Sequence, residues 1–360
     1  MILVLDMTNK SVKFGIMLPQ IPSSVDQLAN IARINEEAAK VSEEAGFNSV
    51  WAGDHLVHTH VNIFPEVWTI FTAAALATKR ILLGTCVTDI HRYHPAVLAQ
   101  KLATLDQVSG GRFILGLGAG VAMNLEPFGI EWKKPVSKLA EAVKIMRRLW
   151  AGERFSYEGE FWKFKDAFLQ VKPLHSKIPT YFAANSPRML RLTGETADGW
   201  LPLFLSPELY KKRLNLINEA ARKAGRTLDD IDAGLYAITS IADKAEDAYK
   251  QIDSLKSWIS PELLKEAGYK VEFPKEFSSM SYVNWLPTNE WKEKITRYGK
   301  LVPREAVIEF SIAGTKQDCI NKIEEFVKAG VKHFLLENAG PNPSKVREIY
   351  SKEIMPRFAE

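Results

Sequence analysis

An alternation of short apolar segments with helical segments, repeated eight times along 360 residues, predicts an α/β chain of the (β/α)8 TIM-barrel class. Three observations carry this. Each apolar run is short and is followed by helix-start chemistry. Glycine closes several of the helices. The stretches that break the rhythm account for the length beyond the roughly 250 residues a barrel needs. A doubly wound open sheet is the competing architecture, and it would need a reversal of strand order.

The elements follow in order. Val12 to Leu18 is the first strand, and Pro19 with Pro22 marks the loop after it. Ser24 caps a helix expected to run to about Glu44, with Gly46 as its stop. Asn48 to Ala52 is the second strand and Glu66 to Ala77 its helix. Ile81 to Val87 is the third strand. Its helix starts at Pro95 and ends before Ser109-Gly110-Gly111. Phe113 to Leu117 enters the turn Gly118-Ala119-Gly120, and a helix from about Ser137 to Trp150 follows. Thr180 to Ala184, Gly199 to Leu203, Ile231 to Ser240 and Val331 to Leu336 complete the eight strands. Helices are expected at Pro187 to Ala197, Pro207 to Ala224, Asp318 to Ala329 and Ser344 to Ile354.

Two stretches are read as insertions into one domain spanning 1–360. Residues 155–171, aromatic-rich around Tyr157-Glu158-Gly159-Glu160, predict a β-hairpin. Residues 242–304 predict a mostly helical, lid-like excursion holding Trp258, Tyr269, Tyr282, Trp285 and Trp291.

Composition narrows the function. Apolar residues make up 46% and charged residues 25%, which is globular. The apolar runs are shorter than the ~18 residues of a membrane span, so no membrane partner is expected. The opening MILVLDMTNK lacks the pattern of a secretory leader, and a cytoplasmic location is expected. A net charge of +4, with basic and acidic residues interspersed, does not suit a nucleic-acid binder but leaves room for an anionic ligand. The two cysteines, Cys86 and Cys319, have no metal-ligand spacing.

In a parallel barrel the chemistry sits just after the strands, at their C-terminal ends. After the second strand comes Gly53-Asp54-His55, then His58 and His60. Asp54 and His55 are candidates for acid–base or cofactor-orienting work, because an imidazole titrates near neutrality and a carboxylate can fix its tautomer. His-x-x-His-x-His would also suit a metal, but one loop rarely supplies every ligand, and no metal is expected. His58 and His60 are read as surface residues. After the third strand, Cys86 reads as a small buried residue. The run Gly116-Leu117-Gly118-Ala119-Gly120 is like a phosphate cradle but lacks the full spacing, so its meaning is a close backbone approach or a sharp turn. Pro187, after Asn185-Ser186 and before Arg188, opens a helix that is either an ordinary capped one or one whose free N–H groups take an anion, with Arg188 adding charge.

Taken together, Lys13-Phe14-Gly15-Ile16, Trp51-Ala52-Gly53-Asp54-His55, Arg80-Ile81-Leu82-Leu83-Gly84-Thr85, His94-Pro95-Ala96, Ser109-Gly110-Gly111-Arg112 with the glycine run, and Thr196-Ala197-Asp198-Gly199-Trp200 resemble the bacterial luciferase-like superfamily. The similarity covers about 12–240 and 306–358. Within it, Asp54-His55 with Ala119-Gly120 and Asn124 resembles the branch that uses the deazaflavin coenzyme F420. That branch includes glucose-6-phosphate dehydrogenases, secondary alcohol dehydrogenases and methylenetetrahydromethanopterin reductases. The resemblance implies a deazaflavin across the barrel mouth. Asp54 would meet its polar ring edge, and Cys86-Val87 would form a bulge with a non-proline cis peptide behind the ring. Ala119, Gly120 and Asn124 would line one wall, and Asn185, Ser186 and Arg188 would take the phosphate tail. A homodimer is the family expectation.

The departures are informative. The dehydrogenases carry a glutamate after the glycine turn, where this chain has Val121; Glu126, His58 or His60 are possible replacements. Their tryptophan after the Asp-His pair is replaced near Thr59. Their sugar-phosphate lysine and arginine fall on Ser206 and Glu309, which argues against glucose 6-phosphate. The expectation is hydride transfer between F420 and a small organic substrate (an alcohol, aldehyde or pterin), with His55 as the inherited catalytic candidate. The alternatives are an FMN-dependent monooxygenase and a non-catalytic deazaflavin-binding protein.

Overall fold

The computed structural model describes residues 11–22, 24–59 and 63–359. Its strands are β1 (Lys13–Met17), β2 (Ser49–Ala52), β3 (Leu82–Thr85), β4 (Thr88–Asp89), β5 (Phe113–Gly118), β6 (Phe155–Glu158), β7 (Lys163–Ala167), β8 (Thr180–Phe182), β9 (Gly199–Trp200), β10 (Asp232–Ile241), β11 (Ile312–Gly314) and β12 (His333–Asn338). Eight of them pair in parallel around a closed ring: β1, β2, β3, β5, β8, β9, β10, β12 and back to β1. This is the (β/α)8 barrel. β6 and β7 form the antiparallel hairpin.

Alternation along the strands makes two layers. Trp51, Ile114, Tyr181, Leu201 and Leu335 point inward and fill the barrel. Residues such as Phe14, Val50, Leu83, Phe182 and Phe334 point outward under the helices. Gly15 and Gly84 make the first layer possible. A Cβ on either would lie 2.7 or 2.3 Å from the Trp51 ring, so the flanking strands must be bare there. Below Trp51 lies a buried polar floor. Asp232 Oδ2 accepts from Tyr181 Oη at 2.8 Å and Lys13 Nζ at 3.3 Å, and it meets His333 Nδ1 at 3.1 Å. His333 Nε2 meets Ser49 Oγ at 2.8 Å.

Several elements differ from the pattern reading. The first helix breaks at Asn30 into Val25–Ala29 and Ile31–Glu44. The Asn30 side chain donates to the Asp26 carbonyl, so it competes with the helical ladder. β9 is two residues long instead of five, because Pro202 has no N–H to extend the ladder; only an isolated bridge, Leu203 to Tyr236, continues it. β11 lies parallel to the end of β10 and is too short to stand out as a run. The third strand is divided in two. β3 ends at Thr85, the Cys86–Val87 peptide is cis, and β4 resumes against β5. The excursion folds as helices Ala245–Ile252, Pro261–Glu266 and Asn289–Gly299 with 3₁₀ turns between them.

Candidate active site

The C-terminal ends of the strands gather the residues the sequence singled out. The turn after β2 is pinned by Gln20, whose amide donates to Gly53 O at 2.8 Å and accepts from Gly53 N at 2.5 Å. Asp54, 5% exposed, follows. Its Oδ2 accepts from Thr88 Oγ1 at 2.5 Å and Tyr93 Oη at 3.1 Å, and lies 2.9 Å from Arg92 Nη2. Its Oδ1 accepts from Arg92 Nη1 at 3.2 Å. Arg92 in turn is held by Asp89 at 2.7 Å. The sequence reading gave Asp54 to acid–base work and to the cofactor's ring edge. Its Oδ2 is fully committed to protein donors and its Oδ1 accepts from Arg92, so the carboxylate locks β2, β4 and the Arg92-Tyr93 turn together.

His55 Nδ1 lies 2.7 Å from Asn124 Nδ2. Asn124 Oδ1 accepts from the backbone N–H of Leu56 at 2.9 Å and Val57 at 3.2 Å. Those two donors fix which end of the amide is oxygen. Asn124 Nδ2 therefore donates to His55 Nδ1, and the imidazole proton sits on Nε2. Burial, with His58 and Arg92 nearby, lowers the imidazole to about 3, so the ring is neutral at physiological pH. Its Nε2 faces the Tyr282 hydroxyl at 3.4 Å. Asn124, read from the sequence as a cofactor wall, is 1% exposed and uses its side chain to orient His55.

Aromatic rings close over this point. Phe64 meets His55 edge-on at 5.1 Å, and His58 stacks on both Phe64 and Trp258. Trp258 stacks on Tyr282 at 4.5 Å, and Trp285 packs against both. Of the excursion's aromatics, Trp258, Tyr282 and Trp285 thus reach the mouth. Tyr269 instead donates to Glu309 at 2.6 Å. His58 is part of this ring stack rather than a free surface residue. His60 lies outside the described residues. Glu126 is exposed on a 3₁₀ turn. Among the described residues no group of three or more His, Cys, Asp or Glu could hold a metal ion.

The glycine run serves packing. A Cβ on Gly116 would lie 1.8 Å from Thr85 O, and one on Gly118 would lie 2.8 Å from Val87. These glycines admit the Cys86-Val87 turn. Gly120 has φ +89°, where glycine is favoured, and Ala119 O accepts from Trp132 at 2.8 Å. Burial, and Glu337 nearby, push the Cys86 thiol up and keep it protonated. On the opposite side Asn185, Ser186 and Arg188 are exposed at the start of helix Pro187–Thr196, and the Ser186 side chain caps none of its N–H groups. Arg213 Nη1 donates to Asn185 at 2.8 Å, and Arg188 donates to Ser137 at 2.6 Å.

A model of the luciferase-like monooxygenase family matches residues 12–333. The chain belongs to this family. It is 33% identical over 327 residues to a 5,10-methylenetetrahydromethanopterin reductase of Archaeoglobus fulgidus, covering 90% of this chain and 95% of the relative. It is 32% identical over 327 residues to an F420-dependent glucose-6-phosphate dehydrogenase of Microbacterium testaceum, covering 88% and 91%. Among solved structures, an F420-dependent secondary alcohol dehydrogenase bound to an F420–acetone adduct superposes with a TM-score of 0.80 at 27% identity, covering 97% and 100%. A coenzyme F420-dependent tetrahydromethanopterin reductase from Methanopyrus kandleri gives 0.81 at 28%, covering 97% and 99%. The family's named relatives are oxidoreductases, and this chain is an enzyme of that kind.

Two groups at the mouth were not assigned from the sequence. Arg92 and Tyr93 stand in the loop after the third strand, but only their bonds to Asp54 give them a task. Glu337, at the end of β12, accepts from the Tyr236 hydroxyl of β10. Its one sequence signal is a carboxylate at an inward-facing strand position.

Proposed function

We propose that this protein is an F420-dependent oxidoreductase that moves a hydride between the coenzyme and a small organic substrate, with an alcohol–carbonyl pair as the favoured class. The observation that carries this is His55, a neutral imidazole that Asn124 holds at Nδ1, so that its N–H is on Nε2 beside the Tyr282 hydroxyl at 3.4 Å. A neutral donor there suits a carbonyl or alkoxide oxygen, as it polarises the C=O without bringing a full charge.

The exposed residues also fit the coenzyme. The helix start at Ser186-Pro187 offers uncapped N–H groups, and Arg188 lies one residue inside it. That combination suits an anionic tail. When bound, F420 supplies a two-electron hydride carrier. The chain's own residues do the rest. Asn185, Ser186 and Arg188 would hold the tail, and the cis turn at Cys86-Val87 backs the mouth. His55 Nε2–H, which faces the Tyr282 hydroxyl, would orient and polarise a substrate oxygen that takes the place of that hydroxyl. Phe64, Trp258 and Tyr282 exclude water from that oxygen. Ser206, which caps the next helix, and Glu309, which binds Tyr269, give no cation for a sugar phosphate.

Titration of the purified protein with F420 and, separately, with FMN tests this reading. Binding of F420 followed by its redox cycling with secondary alcohols or ketones is expected. Tight FMN binding without F420 binding would favour the monooxygenase reading instead. His55→Ala should lower kcat about 100-fold or more, and near-full turnover in that variant would remove His55 from the mechanism. A homodimer is proposed as the working form, to be checked by sedimentation velocity.

A further inference from the structure

Val121 leaves the proposed reaction without a carboxyl after the glycine turn. A carboxyl stands elsewhere in the same mouth. Along β12, His333 and Leu335 face the barrel interior, while Phe334 and Leu336 face the helices. Glu337 is the next inward position, one layer above Leu335, at the C-terminal end of the strand. It is half-buried. Tyr236 on the adjacent strand packs on the interior cluster beside Cys86 and Val87, and its hydroxyl donates to Glu337 Oε2.

The groups that face Glu337 are Tyr236 from β10 and Cys86 from the turn after β3, with Tyr282 of the excursion beyond Tyr236. All three are neutral at physiological pH. No lysine or arginine pairs with Glu337 among the described residues. A half-buried carboxyl among neutral neighbours favours its protonated form. Burial accordingly raises the carboxyl, and the Tyr236 hydrogen bond pulls it partly back.

We propose that Glu337 is the proton-exchanging carboxyl of this site, held by Tyr236 and standing in for the acid that Val121 cannot provide. The proposal rests on the hydride-transfer reading above. In the reducing direction, bound reduced deazaflavin would supply the hydride to the carbonyl carbon, and the C=O π pair would move onto oxygen. That oxygen takes the Glu337 proton while His55 Nε2–H donates to it. Glu337 is left as a carboxylate, stabilised by the Tyr236 hydroxyl, and regains a proton from solvent. Oxidation of the alcohol runs the same transfers in reverse.

The test compares the full-length wild type with Glu337→Gln and Tyr236→Phe. Infrared pH titration of the ligand-free proteins should show a carboxylic C=O band that titrates above the ordinary glutamate range. The band should vanish in E337Q. It should persist to higher pH in Y236F, because a donor to the carboxylate is lost. With F420 bound, E337Q should keep its cofactor Kd but lose about 100-fold or more in kcat for carbonyl reduction. The fall in kcat as pH rises past the Glu337 pKa should disappear with it. The proposal is overturned if E337Q removes no such band, or if E337Q keeps kcat within about threefold with the same pH limb. Should E337Q not fold, an unmoved band and limb in Y236F overturn it equally. Wild type that binds no F420 sinks the hydride-transfer reading, and this proposal with it. Failure of Glu337 alone shows as wild-type-like turnover in E337Q.

Discussion

Asn124→Asp is the sharpest probe of the site, because it changes one atom's chemistry at nearly constant shape. In the native protein Asn124 Oδ1 accepts from Leu56 N and Val57 N, and Nδ2 donates to His55 Nδ1 at 2.7 Å. An aspartate keeps the acceptor for the two backbone donors. Its second oxygen then faces Nδ1 at the same separation, and two acceptors cannot share that contact. The two backbone N–H donors hold the carboxyl ionised, so the imidazole must move its proton to Nδ1 or take up a second one. With charge centres ~4 Å apart and an effective dielectric of about 20, the attraction between carboxylate and imidazolium is about 4 kcal/mol. An opposite charge favours the charged form, so the imidazole rises by about 3 units. From about 3 in the native protein, that brings His55 to roughly 6, inside the working range. Long-range ¹⁵N NMR of histidine-labelled protein reads both quantities. The native spectrum should show an Nε2–H tautomer that does not titrate between about pH 5 and 8. The variant should show Nδ1 protonation and a midpoint in that window. A variant that keeps the Nε2–H tautomer and still fails to titrate would refute the orientation argued for Asn124.

Two further predictions concern the scaffold. Burial alone would raise the Asp232 carboxyl, but the His333 ring, Lys13 and the Tyr181 hydroxyl outweigh it and hold the group below the usual carboxylate range. A depressed carboxylate stabilises the fold above its unfolded pKa of about 4 and loses that contribution as pH falls toward the folded value. The Tm advantage of wild type over Asp232→Asn should therefore shrink below about pH 4, and parallel Tm–pH curves would contradict this. Arg112, 5% exposed, donates to the carbonyls of Ala75, Thr78, Ile81 and Ser109 and to the Thr78 hydroxyl. Lysine lacks the planar fork to serve them all. Arg112→Lys should cost about 2–3 kcal/mol in urea unfolding, and an unchanged midpoint would show those carbonyls are satisfied otherwise.

The barrel was legible because its strands and helices differ in period and are punctuated by residues with fixed backbone preferences. Pro95, Pro187 and Pro207 stand at the first turn of their helices, and Gly110 at φ +72° closes one of them. The short strands were harder. β9 and β11 carry three residues or fewer, too few to show alternation, and their existence depends on neighbours that supply the hydrogen bonds. The glycine run was visible as a backbone feature, but whether it made room for a ligand or for Val87 depended on what folds against it.

The site divides along the same line. His55 could be named from sequence because a loop after a parallel strand is a short-range fact. Its tautomer could not, because that is set by Asn124, 69 residues away, and by two backbone donors that orient the amide. Asp54 could be named too, but its hydrogen bonds to Thr88, Arg92 and Tyr93 needed the fold. Glu337 meets Tyr236 across 101 residues. By itself the sequence determined the order of elements, the side of the barrel that carries the chemistry and the family. Only the tertiary structure decided which polar atoms remain free to act, since a side chain's protonation and availability are set by the partners that burial brings to it.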